Sequence, residues 1–419
     1  MDKLTINGGK PLAGTVLVSG AKNAALPAIA ATLLTDQTVV LRNVPRVRDV
    51  VTMVRVLEHL GAEASFGNDG SCSIRVDRIA EPEAPYDLVR TMRASVLVLG
   101  PLLARTGRAR VSMPGGCAIG ERPINLHLEG LSRLGAEVDL VHGYITARSH
   151  RLHGADVTFT TRTVTGTENL LMAASLAQGH TVLRHCAMEP EITDLAELLT
   201  QMGARIQGAG TETIIIEGVE RLVGAEHTVL PDRIEAGTFL LAGAITRGSV
   251  RVAGCVPGHL TALTDQLARI GVPLKAQADS LAVEPWERLQ ARDVATSPYP
   301  GFATDLQAQY MALVTQARGA SVITENIFEN RFMHVGELKR MGADITLDGR
   351  AAIVRGPSPL SGAPLIATDL RASASLVLAA LVAEGKSTIN RVYHIDRGYE
   401  RIEEKLRALG AEVERLSQS

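Results

Sequence analysis

Apolar and polar positions recur along the 419-residue chain in a long period. Six times a run with helical spacing closes on the same short phrase. The copies are Leu60-Gly61-Ala62-Glu63, Leu134-Gly135-Ala136-Glu137, Met202-Gly203-Ala204-Arg205, Ile270-Gly271-Val272-Pro273, Met341-Gly342-Ala343-Asp344 and Leu409-Gly410-Ala411-Glu412. Their glycines stand 74, 68, 68, 71 and 68 residues apart, so the chain reads as six copies of one folding unit. Glycine just past a helix supplies the left-handed turn from which a strand departs. Each phrase therefore predicts a helix followed by a strand.

Every copy also carries a second helix, apolar almost all round, predicted at 26–34, 95–104, 169–177, 236–244, 307–314 and 373–383. Each is followed by a β-branched run, at 38–41, 108–112, 181–183, 249–252, 321–323 and 387–389. A helix apolar on all faces belongs in the interior. The helices that end at the glycine phrases carry charge (Arg55 and Glu58, Glu129 and Arg133, Glu337 and Arg340, Glu403 and Arg407) and should face solvent. This alternation predicts an α/β fold with helices packed inside and sheets around them. Three copies per domain is the natural division, with a boundary near Leu230-Pro231.

Composition narrows the function classes. Hydrophobic residues make up 46% of the chain and aromatics only 3%, so the core must be aliphatic. A net charge of −2 gives no electrostatic case for nucleic acid or an anionic membrane. No apolar run has membrane-spanning length and the first residues lack a signal-peptide pattern. Cys72, Cys117, Cys186 and Cys255 have neither metal-binding nor redox spacing, which suits free thiols in a reducing cytoplasm and predicts no metal and no cofactor.

The starts of the six apolar helices are charged: Lys22-Asn23, Arg93, Thr167-Glu168, Arg233 to Glu235, Thr304-Asp305, and Asp369 with Arg371. Helix N-termini offer free N–H groups and a positive dipole end to phosphate or carboxylate. Asp305 and Asp369 also stand where ordinary N-caps belong. Capping does not account for Lys22, Arg93 and Arg371, because cations there oppose the dipole and require an anion or a carboxylate partner.

One segment is more specific than these. Pro114-Gly115-Gly116-Cys117-Ala118-Ile119-Gly120-Glu121-Arg122-Pro123 has the glycine content of a mobile lid, with a thiol at its centre. An unperturbed thiol is mostly protonated at neutral pH and can act as a general acid. Pro123 fits the first turn of a helix at 124–134 and puts Arg122 at its positive end. An incidental cysteine in a structural loop is the plainer alternative.

Ser19-Gly20-Ala21-Lys22-Asn23-Ala24-Ala25-Leu26-Pro27 resembles the amino-terminal signature of the UDP-N-acetylglucosamine enolpyruvyl transferases, and Pro114 to Arg122 resembles their reactive-cysteine loop. Further blocks resemble that family at Thr304 to Gln309, Phe328-Glu329-Asn330-Arg331-Phe332-Met333-His334, Ala367 to Ser375, and Tyr393 to Glu400. The likeness spans essentially the whole chain. It implies two inside-out α/β barrel domains of three repeats each, one formed by 1–21 with 231–419 and the other by 22–230, with the cysteine loop at about 113–123 and the site in a cleft between domains.

It also implies a reaction. Enolpyruvate passes from phosphoenolpyruvate to the 3′-hydroxyl of UDP-N-acetylglucosamine, phosphate leaves, and peptidoglycan synthesis is committed. Cys117 would be the loop acid and the residue alkylated by fosfomycin, and Asp305 the base or orienting group at the sugar hydroxyl. Lys22, Arg122 and Arg397 would hold phosphate and carboxylate, with Asp369 and Arg371 balancing charge around the intermediate. Asn23, Arg93, the segment Arg122, Pro123, Ile124, Asn125 and Leu126, and the backbone near Ile327 would touch the sugar nucleotide. Asn125 stands where many relatives have Asp, and Glu121 replaces a small residue beside Cys117. Asp369–Arg371 and Asp396–Arg397 remain open to a local-pair reading. Three other functions stay in view: enolpyruvyl transfer to shikimate 3-phosphate, a silent sugar-nucleotide sensor, and a ring-shaped scaffold on DNA.

Overall fold

The computed structural model describes residues 2–90, 92–113 and 124–417. They form two compact units, one from the residues up to 19 together with those from 231 onward, the other from those between 20 and 230. Ser19 is held in the first unit, its N–H donating to Glu235 at 2.6 Å. Ala21 is held in the second, its N–H donating to the Leu230 carbonyl at 2.8 Å.

Among the described residues there are six four-stranded sheets, three per unit. In each, an edge strand runs parallel to its neighbour and the remaining pairs are antiparallel, as with Glu83–Ala84, Arg108–Ser112, Tyr144–Arg148 and Glu137–Val141. The repeat closes on itself within each unit. Glu226–Thr228, late in the second unit, lies parallel to Val39–Arg42 near its beginning. In the first unit the second strand, Ala13–Leu17, takes the same edge role against Ser249–Ala253.

The apolar helices lie where their sequence sends them. Lys22–Ala31, Leu99–Thr106 and Val164–Ala174 sit in one core, and Arg233–Ile245, Gln307–Val314 and Leu370–Val382 in the other. Each core is a continuous cluster of Leu, Ile, Val, Ala and Met side chains, in keeping with the scarcity of aromatics. All six phrase glycines have φ between 91° and 103°, a backbone region open to glycine and strained for residues with a Cβ. The strand after each is thereby aimed back over the helix that preceded it.

One helix starts earlier than the sequence suggested. Val164–Ala174 is capped by Thr163, whose hydroxyl accepts the Gly166 N–H at 3.2 Å. Thr167 and Glu168 therefore fall in its second turn and do not stand at a helix start.

Candidate functional site

The unit containing Asp305 holds five of the expected residues: Asp305, Ile327, Asp369, Arg371 and Arg397. Thr304–Leu306 is a short 3-10 turn leading into the buried helix Gln307–Val314, and Asp305 caps neither, since no side-chain cap bond forms at that entry. Its carboxylate faces two guanidiniums instead. Arg331 donates to Oδ1 at 2.6 Å, and Arg371 donates to Oδ2 through Nη2 at 2.9 Å and Nε at 3.2 Å. The arginine side chains are only 6% and 3% exposed, against 24% for Asp305. Two buried cations thus share one carboxylate, and their charge-assisted bonds fix its orientation.

Asp369 is a true N-cap. Its Oδ1 accepts the backbone N–H groups of Arg371 at 2.9 Å and Ala372 at 3.0 Å, at the start of Leu370–Val382. Arg371 pairs across the unit with Asp305, 66 residues away, so the local-pair alternative for Asp369–Arg371 gives way to a longer-range contact. Tyr399 backs this arrangement with its ring 5.4 Å from the Arg371 guanidinium carbon. Asp305, Tyr399 and Asp232 all favour the charged guanidinium and outweigh burial, so Arg371 stays fully cationic.

A second carboxylate braces the same turn. Glu325, 1% exposed, accepts from the Thr304 and Thr296 hydroxyls, each at 2.9 Å, and from the N–H groups of Ile327 at 2.9 Å and Phe328 at 3.1 Å. The Ile327 amide is therefore used internally, which leaves its carbonyl and side chain for any ligand contact. Arg331 also donates to the Thr304 hydroxyl at 2.9 Å. Arg331 and Glu325 were not singled out from sequence, although Arg331 lies inside the block Phe328 to His334. A buried arginine cannot be told from a surface one until its partners are known.

Nearby, Arg397 ends the 3-10 segment Val392–Arg397 and is half-buried. Its sequence neighbour Asp396 binds Arg415 at 2.6 and 3.1 Å, so that carboxylate is committed to a different arginine from the one the sequence placed beside it.

In the other unit, Lys22 opens the helix Lys22–Ala31 and donates to Asp49 at 3.2 Å, with both side chains largely buried at 12% and 6% exposure. The carboxylate partner demanded by a cation at a helix start is thus Asp49, in the first turn of Arg48–His59. Asn23 is half-buried beside it, and Arg93 opens the 3-10 segment Arg93–Val98. Ile124 is the N-cap residue of Asn125–Arg133; Asn125 is exposed and donates to Glu129 at 3.3 Å, whereas Leu126 is buried. Glu168 is 2% exposed, and burial together with the carboxylates of Glu191 and Glu189 holds it well above the usual carboxyl range, so it favours the protonated form.

Cys117, Arg122 and Pro123 lie outside the described residues, as does Glu121. The remaining cysteines are buried, and burial pushes the thiols of Cys72 and Cys186 up to about 11 and raises that of Cys255. Thiols so disposed are poor nucleophiles. No described helix is long and apolar enough to cross a membrane.

With this geometry in hand, three comparisons bear on the chain. The sequence profile of the family EPSP synthase (3-phosphoshikimate 1-carboxyvinyltransferase) matches residues 6–406. A UDP-N-acetylglucosamine 1-carboxyvinyltransferase of Koribacter versatilis is 60% identical over 100% of this chain and 97% of its own. Its namesake in Myxococcus xanthus is 56% identical over 99% of both. Among solved structures, the enolpyruvyl transferase NikO from Streptomyces tendae superposes with a TM-score of 0.90 at 28% identity, covering 100% of this chain and 99% of its own. EPSP synthase from Acinetobacter baumannii superposes with a TM-score of 0.76 at 19% identity over both full chains, a likeness of fold alone.

Proposed function

The chain belongs to the EPSP synthase family and, within it, with the UDP-N-acetylglucosamine 1-carboxyvinyltransferases, and we propose that it transfers the enolpyruvyl group of phosphoenolpyruvate to the 3′-hydroxyl of UDP-N-acetylglucosamine with release of phosphate. In that role it performs the first committed step of peptidoglycan synthesis. The observation that carries the reading is the 60% identity extending over the whole chain. The paired guanidiniums on Asp305 give it a chemical footing.

The reaction has two halves. The sugar hydroxyl loses a proton as its oxygen bonds to C2 of the enol, while C3 gains a proton. The tetrahedral adduct then loses a proton from C3 and expels phosphate. Asp305 is assigned the sugar hydroxyl, as base or as orienting acceptor, held in one rotamer by Arg331 and Arg371. The two guanidiniums stabilise the anionic adduct. Lys22, Arg122 and Arg397 are assigned to the phosphate and carboxylate, and Cys117 to proton delivery at C3. Asn23, Arg93, Ile124, Asn125, Leu126 and Ile327 are assigned to the nucleotide sugar, with Asp369 fixing the start of the helix that carries Arg371.

Mass spectrometry of the products tests it. Incubation with phosphoenolpyruvate should convert UDP-N-acetylglucosamine to a species heavier by one enolpyruvyl group, and Asp305→Ala should abolish the conversion. An unmodified nucleotide sugar from the intact enzyme would overturn the assignment.

A further inference from the structure

Eight residues before the helix-ending glycine, four of the six repeats carry buried apolar side chains: Met53, Leu195, Leu263 and Ile402. The other two carry buried histidines, His127 and His334. An imidazole in a slot its sister repeats fill with hydrocarbon needs a polar partner. His334 stands within the electrostatic reach of Arg331 and Asp369, in the cluster already described. His127 belongs to a different set of contacts.

It lies in the first turn of Asn125–Arg133 and meets Asn169, in the middle of the buried helix Val164–Ala174. The hydrogen bonds set the Asn169 amide orientation and the His127 tautomer. Gly100 N–H donates to Asn169 Oδ1 at 2.7 Å, so the Asn169 amide nitrogen is the donor to the Val96 carbonyl and to His127 Nδ1, each at 3.0 Å. Nδ1 accepts, which places the ring proton on Nε2, where it meets the Thr165 hydroxyl at 3.2 Å. Only the neutral ring can do this, and burial pushes its pKa down to about 4.

Close backbone approaches keep these elements from sliding. A Cβ on Gly130 would lie 2.2 Å from Leu170 Cδ1, and one on Gly100 would lie 2.3 Å from Asn169 Oδ1. The lock reaches the ligand segment directly. The N–H groups of His127 and Leu128 both donate to the Ile124 carbonyl, at 3.0 and 3.2 Å.

We propose that His127 is a positioning residue for the nucleotide sugar: through Asn169 and Thr165 it fixes the first turn of Asn125–Arg133, and with it Ile124, Asn125 and Leu126. The inference rests on the enolpyruvyl-transfer reading. Four sister repeats show that the fold accepts hydrocarbon at this position, so a polar lock here serves placement more than packing.

The test is calorimetric binding of UDP-N-acetylglucosamine to the full chain, with KM for each substrate measured alongside. His127→Leu should weaken nucleotide-sugar binding and raise its KM by about tenfold, with KM for phosphoenolpyruvate within about twofold of the intact enzyme's. His127→Gln keeps one acceptor for Asn169 and one donor for Thr165, and should restore binding to within about threefold. Thr165→Val, which removes only the partner at Nε2, should weaken binding by about threefold and serves should the Leu variant fail to fold. A wild type that binds while His127→Leu and Thr165→Val bind equally well sinks the inference alone. Equal loss of both substrates with no rescue by Gln also sinks it, as the mark of a purely structural histidine. A wild type that does not bind the nucleotide sugar overturns the functional reading and this inference with it.

Discussion

Replacing Asp305 by Asn keeps the shape of the side chain and removes the charge that two buried guanidiniums share. Arg331 donates one bond at 2.6 Å and Arg371 a fork at 2.9 and 3.2 Å. Hydrogen bonds to a charged partner contribute about 1.5–3 kcal/mol. Stripping one partner from a buried pair costs about 3–5 kcal/mol, because the remaining charge is left uncompensated. Asp305→Asn strands two cations and should therefore destabilise its unit by roughly 3–5 kcal/mol. Arg331→Gln leaves Arg371 still balancing the carboxylate and should cost about 1.5–3 kcal/mol. In the double variant Arg371 keeps Asp232 and Tyr399 and no longer faces Arg331 across a neutral side chain, so the combined loss should fall short of the sum by about 1.5–3 kcal/mol. Urea unfolding followed by tryptophan emission reads this out, urea being uncharged and so sparing the ion cluster. The chain has one tryptophan, Trp286, which is 7% exposed and donates its indole N–H to the Ala244 carbonyl at 2.6 Å. Its emission reports the unit that holds Asp305. Losses that add to within about 0.5 kcal/mol would refute the shared-carboxylate account.

Three other outcomes follow from buried titratable groups. His334 is pushed down to about 4, chiefly by burial, with Asp369 pulling upward and Arg331 downward. A depressed folded-state pKa gives stability that is present above the unfolded value near 6.5 and lost as pH falls through 4. The stability difference between wild type and His334→Gln, read by Trp286 emission, should therefore move against wild type by about 3 kcal/mol between pH 7 and 4; a constant difference contradicts this. Glu168 has the opposite sign, since its raised pKa gives stability that is present at low pH and lost as pH rises. Glu168→Gln should gain on wild type in circular-dichroism melts from pH 5 to 8, and a gap independent of pH would contradict it. Iodoacetamide at neutral pH should label Cys117 while sparing Cys72, Cys186 and Cys255, as peptide mass mapping would show; labelling of Cys72 or Cys186 in the folded chain would contradict their elevated pKa.

What the sequence revealed divides by the range of the interaction. The glycine phrases were legible because a helix C-terminus and its left-handed residue are set by a few adjacent positions. The all-apolar helices were legible for a related reason: a run with no polar face has no stable place except the interior. The two Thr-Asp-Leu tripeptides mark the limit. Thr304-Asp305-Leu306 and Thr368-Asp369-Leu370 are identical in sequence and both precede buried helices. One aspartate caps its helix and the other holds Arg331 and Arg371, contacts spanning 26 and 66 residues. Nothing local separates them; the arrival of distant arginines does. The capping Thr163 went unseen because Thr167 offers the same hydroxyl one turn later. The Asn169–His127 bond escaped notice because it joins residues 42 apart from different repeats.

The central claim is that the acceptor is UDP-N-acetylglucosamine. Its most direct test is the rate of phosphate release from phosphoenolpyruvate, measured in parallel with UDP-N-acetylglucosamine and with shikimate 3-phosphate. Release with the nucleotide sugar alone is the predicted result. Release with shikimate 3-phosphate, or silence with both acceptors, would contradict it.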